Sequence, residues 1–222
     1  MKKKLRRDNS YFLIPYLAFL TAGGYLLLTV QKGAILLWLN AKNTPFWDNF
    51  FKYTTYFGEG LTICIIFLLF FILYKTRYSL YIFLGYATSG ILAQIIKRIA
   101  NTPRPKRFFG DSISLHFVSG VAVYSYNSFP SGHSATAFSF FFVLSIITKN
   151  KPFGLIYFVA ALLVGISRIY LVEHFFVDVY FGSILGVICT IIVYLFLYRS
   201  KKAWMDKSLL KILFNEKKEQ LT

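Results

Sequence analysis

Asn127-Ser-Phe-Pro-Ser-Gly-His-Ser134, running straight into the apolar segment Ala135–Ile147, is the stretch on which the reading of this chain turns. Pro130 suits the first turn of a helix, where its missing N–H costs nothing. Ser131 and Gly132 then leave unpaired backbone N–H groups at the positive end of the helix dipole, which makes an anion site. His133 can give or take a proton near neutral pH. A helix start that holds an anion beside a proton shuttle suits chemistry on a bound phosphate. The bland alternative is an N-cap with a chance histidine. Two other segments, Lys97–Pro105 and Ser167–Asp178, decide between them.

The setting is a membrane. Of 222 residues, 56% are hydrophobic, 20% aromatic and only 15% charged, with a mean hydropathy of +0.55. That profile predicts an all-α integral membrane domain. The net charge of +16 invites nucleic acid as a partner. However, the basic residues cluster between apolar runs, and no helix-turn-helix, zinc-finger or RNA-binding aromatic motif occurs, so nucleic acid is set aside. Cys64 and Cys189 lie inside apolar runs and make neither a disulfide framework nor a metal knuckle.

Apolar runs at 11–30, 61–74, 80–96, 135–147, 153–166 and 175–198 predict a six-transmembrane helix bundle over residues 1–198. The basic block Lys2–Arg7 precedes the first run, which reads as a retained span rather than a signal peptide. The aromatic connection 40–60 is expected at the membrane interface. Residues 199–222 read as a basic amphipathic cytoplasmic tail, with Trp204, Met205, Leu209, Ile212 and Leu213 on one helix face. Six spans put both termini on one side, and most of the 25 Lys and Arg residues fall there. The positive-inside rule therefore places the termini in the cytoplasm. The insertion 97–129, the His133 end of its span and the segment 167–178 then meet at the outer face. Inside the insertion, Leu115–Tyr124 alternates about Ser119-Gly120 and predicts a small hairpin.

Lys97 and Arg104 stand at the exit of the third run, and Pro103 and Pro105 hold Arg104 in an extended presentation. Arginine grips phosphate with two parallel bonds while lysine adds a point charge. Lys106 and Arg107 read as ordinary interfacial cations. His174 and Asp178, four apart, are expected on one face of the last helix. A carboxylate there takes the proton of one imidazole nitrogen and leaves the other lone pair facing outward, which makes a nucleophile. Glu173 is expected to project away as a solvated or headgroup-facing charge, and His116 to be a surface histidine.

Lys97-(x6)-Arg104-Pro105, Pro130-Ser-Gly-His133 and Ser167-Arg-(x5)-His174-(x3)-Asp178 resemble the three-part signature of the type-2 phosphatidic acid phosphatase family, in order and across 97–182. Bacterial acid phosphatases and vanadium haloperoxidases share it. Asp48 and Gly58 in the aromatic connection are similar to the membrane-bound branch. The resemblance implies a phosphatase that uses no metal or other cofactor and works through a phosphohistidine. His174 would attack phosphorus, Asp178 would orient it, and His133 would protonate the leaving oxygen and then activate water. Lys97, Arg104, Arg168, the Ser131 hydroxyl and the Gly132 N–H would cradle the phosphoryl oxygens. The implied partner is a membrane lipid phosphate in the bilayer of a bacterial inner membrane, attacked from the periplasmic side. Candidates are lipid A phosphate, undecaprenyl pyrophosphate and phosphatidylglycerol phosphate or phosphatidate, with lipid A phosphate the first choice. The insertion would act as a lid that selects the lipid. A transporter or channel, or a protein that binds lipid phosphate without hydrolysing it, is the rival reading.

Overall fold

The computed structural model describes residues 9–200 and 202–211, and within them every regular element is helical. The chain forms α1 (Ser10–Thr29), α2 (Ala34–Asn40), α3 (Pro45–Thr54), α4 (Gly60–Leu73), α5 (Thr76–Ala100), α6 (Pro105–Phe109), α7 (Gly132–Ile147), α8 (Phe153–Tyr170) and α9 (Phe176–Tyr198). Short 3-10 turns cover Thr55–Gly58 and Ala203–Asp206. The basic block Lys2–Arg7 and the end of the tail, 212–222, lie outside the described residues.

Helix α7 is the axis of the bundle, packed against α5, α8 and α9. Its sequence is apolar all round, as an enclosed helix requires, and Ala135 to Val143 are all buried. Helix α9 can lie close to it because Gly182 and Gly186 face Ser131 and Ala135, where an added Cβ would collide with backbone. One turn deeper, the hydroxyls of Ser139 and Thr190 share a hydrogen bond of 2.8 Å across the same interface. Small residues with an interhelical hydroxyl bond are the usual adhesive where lipid removes the hydrophobic drive between helices. Helices α1 and α4 form the periphery. Leu28 is 88% exposed, Ile99 81% and Phe196 75%, a belt of large apolar side chains that only lipid tolerates.

Among the described residues, α1, α5, α8 and α9 are each long and apolar enough to cross a membrane. Pro45–Gly58 and Gly60–Leu73, bent by 55° at their junction, qualify only as a pair. Helix α7, with 16 residues, falls short of that length.

The structure departs from the sequence expectations in four places outside the 173–174 connection. The 115–124 segment contains no strand; it makes a turn at Ser119-Gly120, closed by Val121 N–H on Val118 O at 3.2 Å. Side chains hold it instead of a ladder: the Asn40 amide bonds the His116 backbone in both directions, and Lys52 Nζ donates to Ser119 O. Pro130 lies ahead of its helix rather than in the first turn, because Ser131 is the N-cap and Gly132 the first helical residue. His116 is tied down, its Nε2 2.9 Å from Asp48 Oδ2, while Asp48 Oδ1 accepts from Tyr170 Oη at 2.6 Å. Finally, the described part of the tail is broken rather than one helix, with a 3-10 turn at Ala203–Asp206 and helical residues again at 209–211. It is clamped to the bundle by Arg77, which donates to Leu197 O, Ser200 O and the Asp206 carboxylate.

Candidate active site

At the end of the bundle away from Arg77, the last turn of α5, the start of α7, the end of α8 and the start of α9 meet. Asn101, in the left-handed conformation that asparagine tolerates, closes α5 with its N–H on Lys97 O. The chain then turns back, and residues 125–129 run alongside 102–104. Arg104 N–H donates to Ser125 O, Ser128 N–H to Thr102 O and Phe129 N–H to Thr102 Oγ1. The two signature cations are pinned in the same place, with Arg104 Nε on Tyr126 O at 2.9 Å and Lys97 Nζ on Asn127 O at 3.0 Å. The segment after the turn therefore forms one wall of the site.

The opposite wall comes from the exit of α8. Glu173 and His174 both donate their backbone N–H to Arg168 O at 3.0 Å. This tight reversal puts Val172 at φ +60°, a region hostile to β-branched residues and worth about 1–3 kcal/mol of strain. Burial offsets it: Val172 is fully enclosed with Leu36, Ile169, Phe175 and Val179. His174 therefore lies in the connection, not on the last helix as its spacing suggested, and α9 begins only at Phe176. Asp178 still reaches it. From the first turn of α9, its Oδ2 accepts from Phe175 N–H at 2.9 Å and faces His174 Nδ1 at 3.4 Å. Asp178 O also accepts from Ser131 N–H at 2.9 Å, which locks the α7 start to the histidine–aspartate pair.

All the signature cations converge here. Lys97, Arg104 and Arg168 are buried, as are Ser131, His174 and Asp178. Burial holds the His174 imidazole well below the usual histidine range, and the charges of Arg104, Lys97 and Arg168 push the same way. His174 is thus neutral at physiological pH, with Nε2 facing away from the aspartate. His133 is the second residue of α7. Ser131 Oγ accepts from Ser134 N–H at 3.3 Å and from Ser134 Oγ at 2.9 Å, so its own proton is left to donate. At Gly132 there is open space where a Cβ would stand.

Three participants were not anticipated from the sequence. Ser128 donates to Asp178 Oδ2 at 2.5 Å, and Thr55 Oγ1 accepts from Arg168 at 2.7 Å. Glu173, expected in solvent, is fully buried, and its carboxylate is paired with both Arg104 and Arg168. Burial pushes that carboxyl above its usual range while Arg168 and Arg104 pull it back. Ser128 sits inside the motif stretch and Glu173 is one of only 9 acidic residues, so both carried a signal. Thr55 carried none.

Next to these groups lies a cavity of about 600 Å³ between α4, α5 and α7. Gly132, His133 and Thr136 line its α7 side; Phe83, Tyr86 and Ile91 line its α5 side. It joins a polar site to the apolar flank of the bundle.

Residues 78–202 match the family model described as the PAP2 superfamily. A lipid A 1-phosphatase from Rhizobium johnstonii is 29% identical over 114 residues, 51% of this chain and 46% of that protein. The chain spans about half the length of the curated relatives it matches. Among solved structures, Aquifex aeolicus LpxE superposes with a TM-score of 0.64 at 30% identity, covering 73% of this chain and 93% of that one. The transmembrane PAP2-type phosphatidylglycerolphosphate phosphatase of Bacillus subtilis gives 0.62 at 27%, covering 89% and 99%. With the family model matching more than half of its length, the chain belongs to the PAP2 superfamily.

Proposed function

We propose that this chain is an integral-membrane lipid phosphate phosphatase that works through a phosphohistidine. One observation carries the reading. A neutral, carboxylate-backed His174 and three buried cations share one site, and His133 also lines a largely apolar cavity that carries Gln94 and Arg98. Phosphate chemistry needs the first and a lipid substrate the second.

The steps follow from the geometry. Lys97, Arg104 and Arg168, with the Ser131 hydroxyl and the Gly132 N–H, hold the phosphoryl oxygens and meet the charge that spreads over them in the transition state. His174 Nε2 attacks phosphorus as the ester P–O bond breaks. Asp178 accepts the Nδ1 proton's hydrogen bond and supports the imidazolium that forms. His133 gives a proton to the departing lipid oxygen. It then takes one from the water that cleaves the P–N bond and releases inorganic phosphate. Each step is assigned to side chains of this chain.

The substrate we favour is a lipid phosphomonoester, lipid A phosphate first, because the relatives named above act on lipid A and on phosphatidylglycerol phosphate. We place the site on the outer face of a bacterial inner membrane, with both termini cytoplasmic, on the distribution of Lys and Arg. That arrangement takes α7 as a sixth, short crossing enclosed by its neighbours.

The test is phosphate release from a panel of lipid phosphates by detergent-purified protein, with EDTA and with vanadate. Turnover should survive the chelator and be inhibited by vanadate, which as a five-coordinate adduct on His174 copies the transferring phosphoryl group. His174→Ala should abolish turnover and phosphoenzyme together. His133→Ala should be partly rescued by a nitrophenyl phosphate, whose leaving group needs no acid. Loss of turnover on chelation with restoration by Mg²⁺, or rescue of His174→Ala instead, would overturn the scheme.

A further inference from the structure

The signature of this chain accounts for Lys97, Arg104 and Arg168 but not for the carboxylate between the two arginines. Glu173 is fully buried, and a charge in that position is tolerated only when paired. Its Oε2 lies 3.3 Å from an Arg168 terminal nitrogen and is ion-paired with Arg104. Its backbone O accepts from the same Arg104 nitrogen at 3.4 Å. Each guanidinium is therefore held on two sides. Arg104 is fixed by Tyr126 O through Nε and by Glu173 through one terminal nitrogen. Arg168 is fixed by Thr55 Oγ1 and by Glu173. Arg168 Nε is buried with no hydrogen-bond partner among the described residues, and the second terminal nitrogen of Arg104 makes no hydrogen bond there. Those donors are left for a ligand.

Two consequences follow. Without the carboxylate, two guanidinium groups would face each other across a buried site and repel, so the spacing of their remaining donors would be set by whichever anion arrived. With it, the spacing exists beforehand, and preorganised donors stabilise a transition state more than a ground state. The carboxylate also offsets one of three positive charges. A pocket with all three uncompensated would grip inorganic phosphate, the product, more tightly than turnover can use.

We propose that Glu173 is a positioning residue, which ties Arg104 to Arg168 at a fixed spacing and trims the charge of the phosphate pocket so that product can leave. It does not touch the reacting atoms. The proposal rests on the phosphatase reading above, and Arg104→Ala serves as the control for that reading.

The experiment measures kcat and the inhibition constant of inorganic phosphate for wild type, Glu173→Gln, Glu173→Asp and Arg104→Ala, each checked for monodispersity. Glu173→Gln keeps the shape and removes the charge. Its kcat should fall about tenfold while phosphate inhibits about tenfold more tightly, the loss of one charge-assisted contact. Glu173→Asp keeps the charge and shortens the reach. Its kcat should fall by a similar factor while phosphate inhibition stays near wild type. A residue that merely supports the fold would not lower kcat and tighten phosphate inhibition together. The inference is overturned if Glu173→Gln leaves both quantities unchanged, or weakens phosphate inhibition, while Arg104→Ala is inactive. It is also overturned if neither Glu173 variant folds, since the carboxylate is then structural. Full activity in Arg104→Ala would instead sink the phosphatase reading itself.

Discussion

Replacing Ser128 by alanine removes a group the signature does not contain, and the structure says how much that should cost. The Ser128 hydroxyl is buried and donates to Asp178 Oδ2 at 2.5 Å. It lies 3.5 Å from His174 Nδ1, beyond useful hydrogen-bond length. Its effect on the nucleophile therefore passes through Asp178. Among the described residues that oxygen has one backbone donor, Phe175 N–H at 2.9 Å, and its distance to His174 Nδ1 is already long at 3.4 Å. Without Ser128 the carboxylate can swing away from the imidazole. A hydrogen bond to a charged group is worth about 1.5–3 kcal/mol. If most of that is felt when His174 becomes an imidazolium, kcat falls about 10- to 100-fold. KM should barely move, because the cations that hold the phosphate are untouched.

The assay is phosphate release by detergent-purified Ser128→Ala, Asp178→Ala and the double variant. Residues that act as one unit are non-additive. Ser128→Ala should therefore cost its full factor in the wild-type background and almost nothing in Asp178→Ala. A wild-type kcat in Ser128→Ala would refute the reasoning, as would the same fold-loss in both backgrounds.

Two further outcomes are expected. Because the His174 pKa is depressed, its neutral form persists as pH falls through about 6.5, the ordinary histidine value. Phosphoenzyme formation, corrected for the phosphate's own second ionisation, should then decline only below that pH. By the same sign, the stability His174 contributes is complete above about pH 6.5. It is lost as pH drops from there toward the lowered folded value, since the unfolded chain takes up a proton the folded one refuses. An acid limb centred at or above 6.5 contradicts both statements. At the far end of the bundle, Arg77→Ala removes bonds to Leu197 O and Ser200 O and an ion pair with Asp206, whose side chain is 51% exposed. The exposed pair is worth little and each carbonyl bond about 1 kcal/mol. A melting temperature lower by a few degrees with unchanged kcat is the expected result, and lost turnover without lost stability would disprove it.

The helices and the site differ in how far the sequence exposes them. An apolar run announces a membrane helix whatever surrounds it, so α1, α4, α5, α8 and α9 lie within a few residues of the runs that predict them. Signature spacing did the same for Lys97, Arg104, His133, Arg168, His174 and Asp178, which meet at one end of the bundle. What spacing hides is the backbone between the motifs. Glu173 was assigned to solvent on the assumption that the last helix already included residues 173 and 174, where neighbours point about 100° apart. The chain there is a reversal, with two N–H groups on Arg168 O and Val172 at φ +60°. In that geometry Glu173 turns under the arginines and His174 toward Asp178. The turn exists because a buried cluster of Leu36, Ile169, Val172, Phe175 and Val179 compensates for the strain, and Leu36 lies far away in sequence. The insertion misled for the opposite reason. Its alternation is genuine, but the partners that fix it are Asn40, Asp48 and Lys52 on α2 and α3, so a period of two signals a strand that never forms. The motif residues follow from local chemistry. The groups that position them follow from contacts across the chain, and those are where variants such as Glu173→Gln and Ser128→Ala can separate chemistry from scaffold.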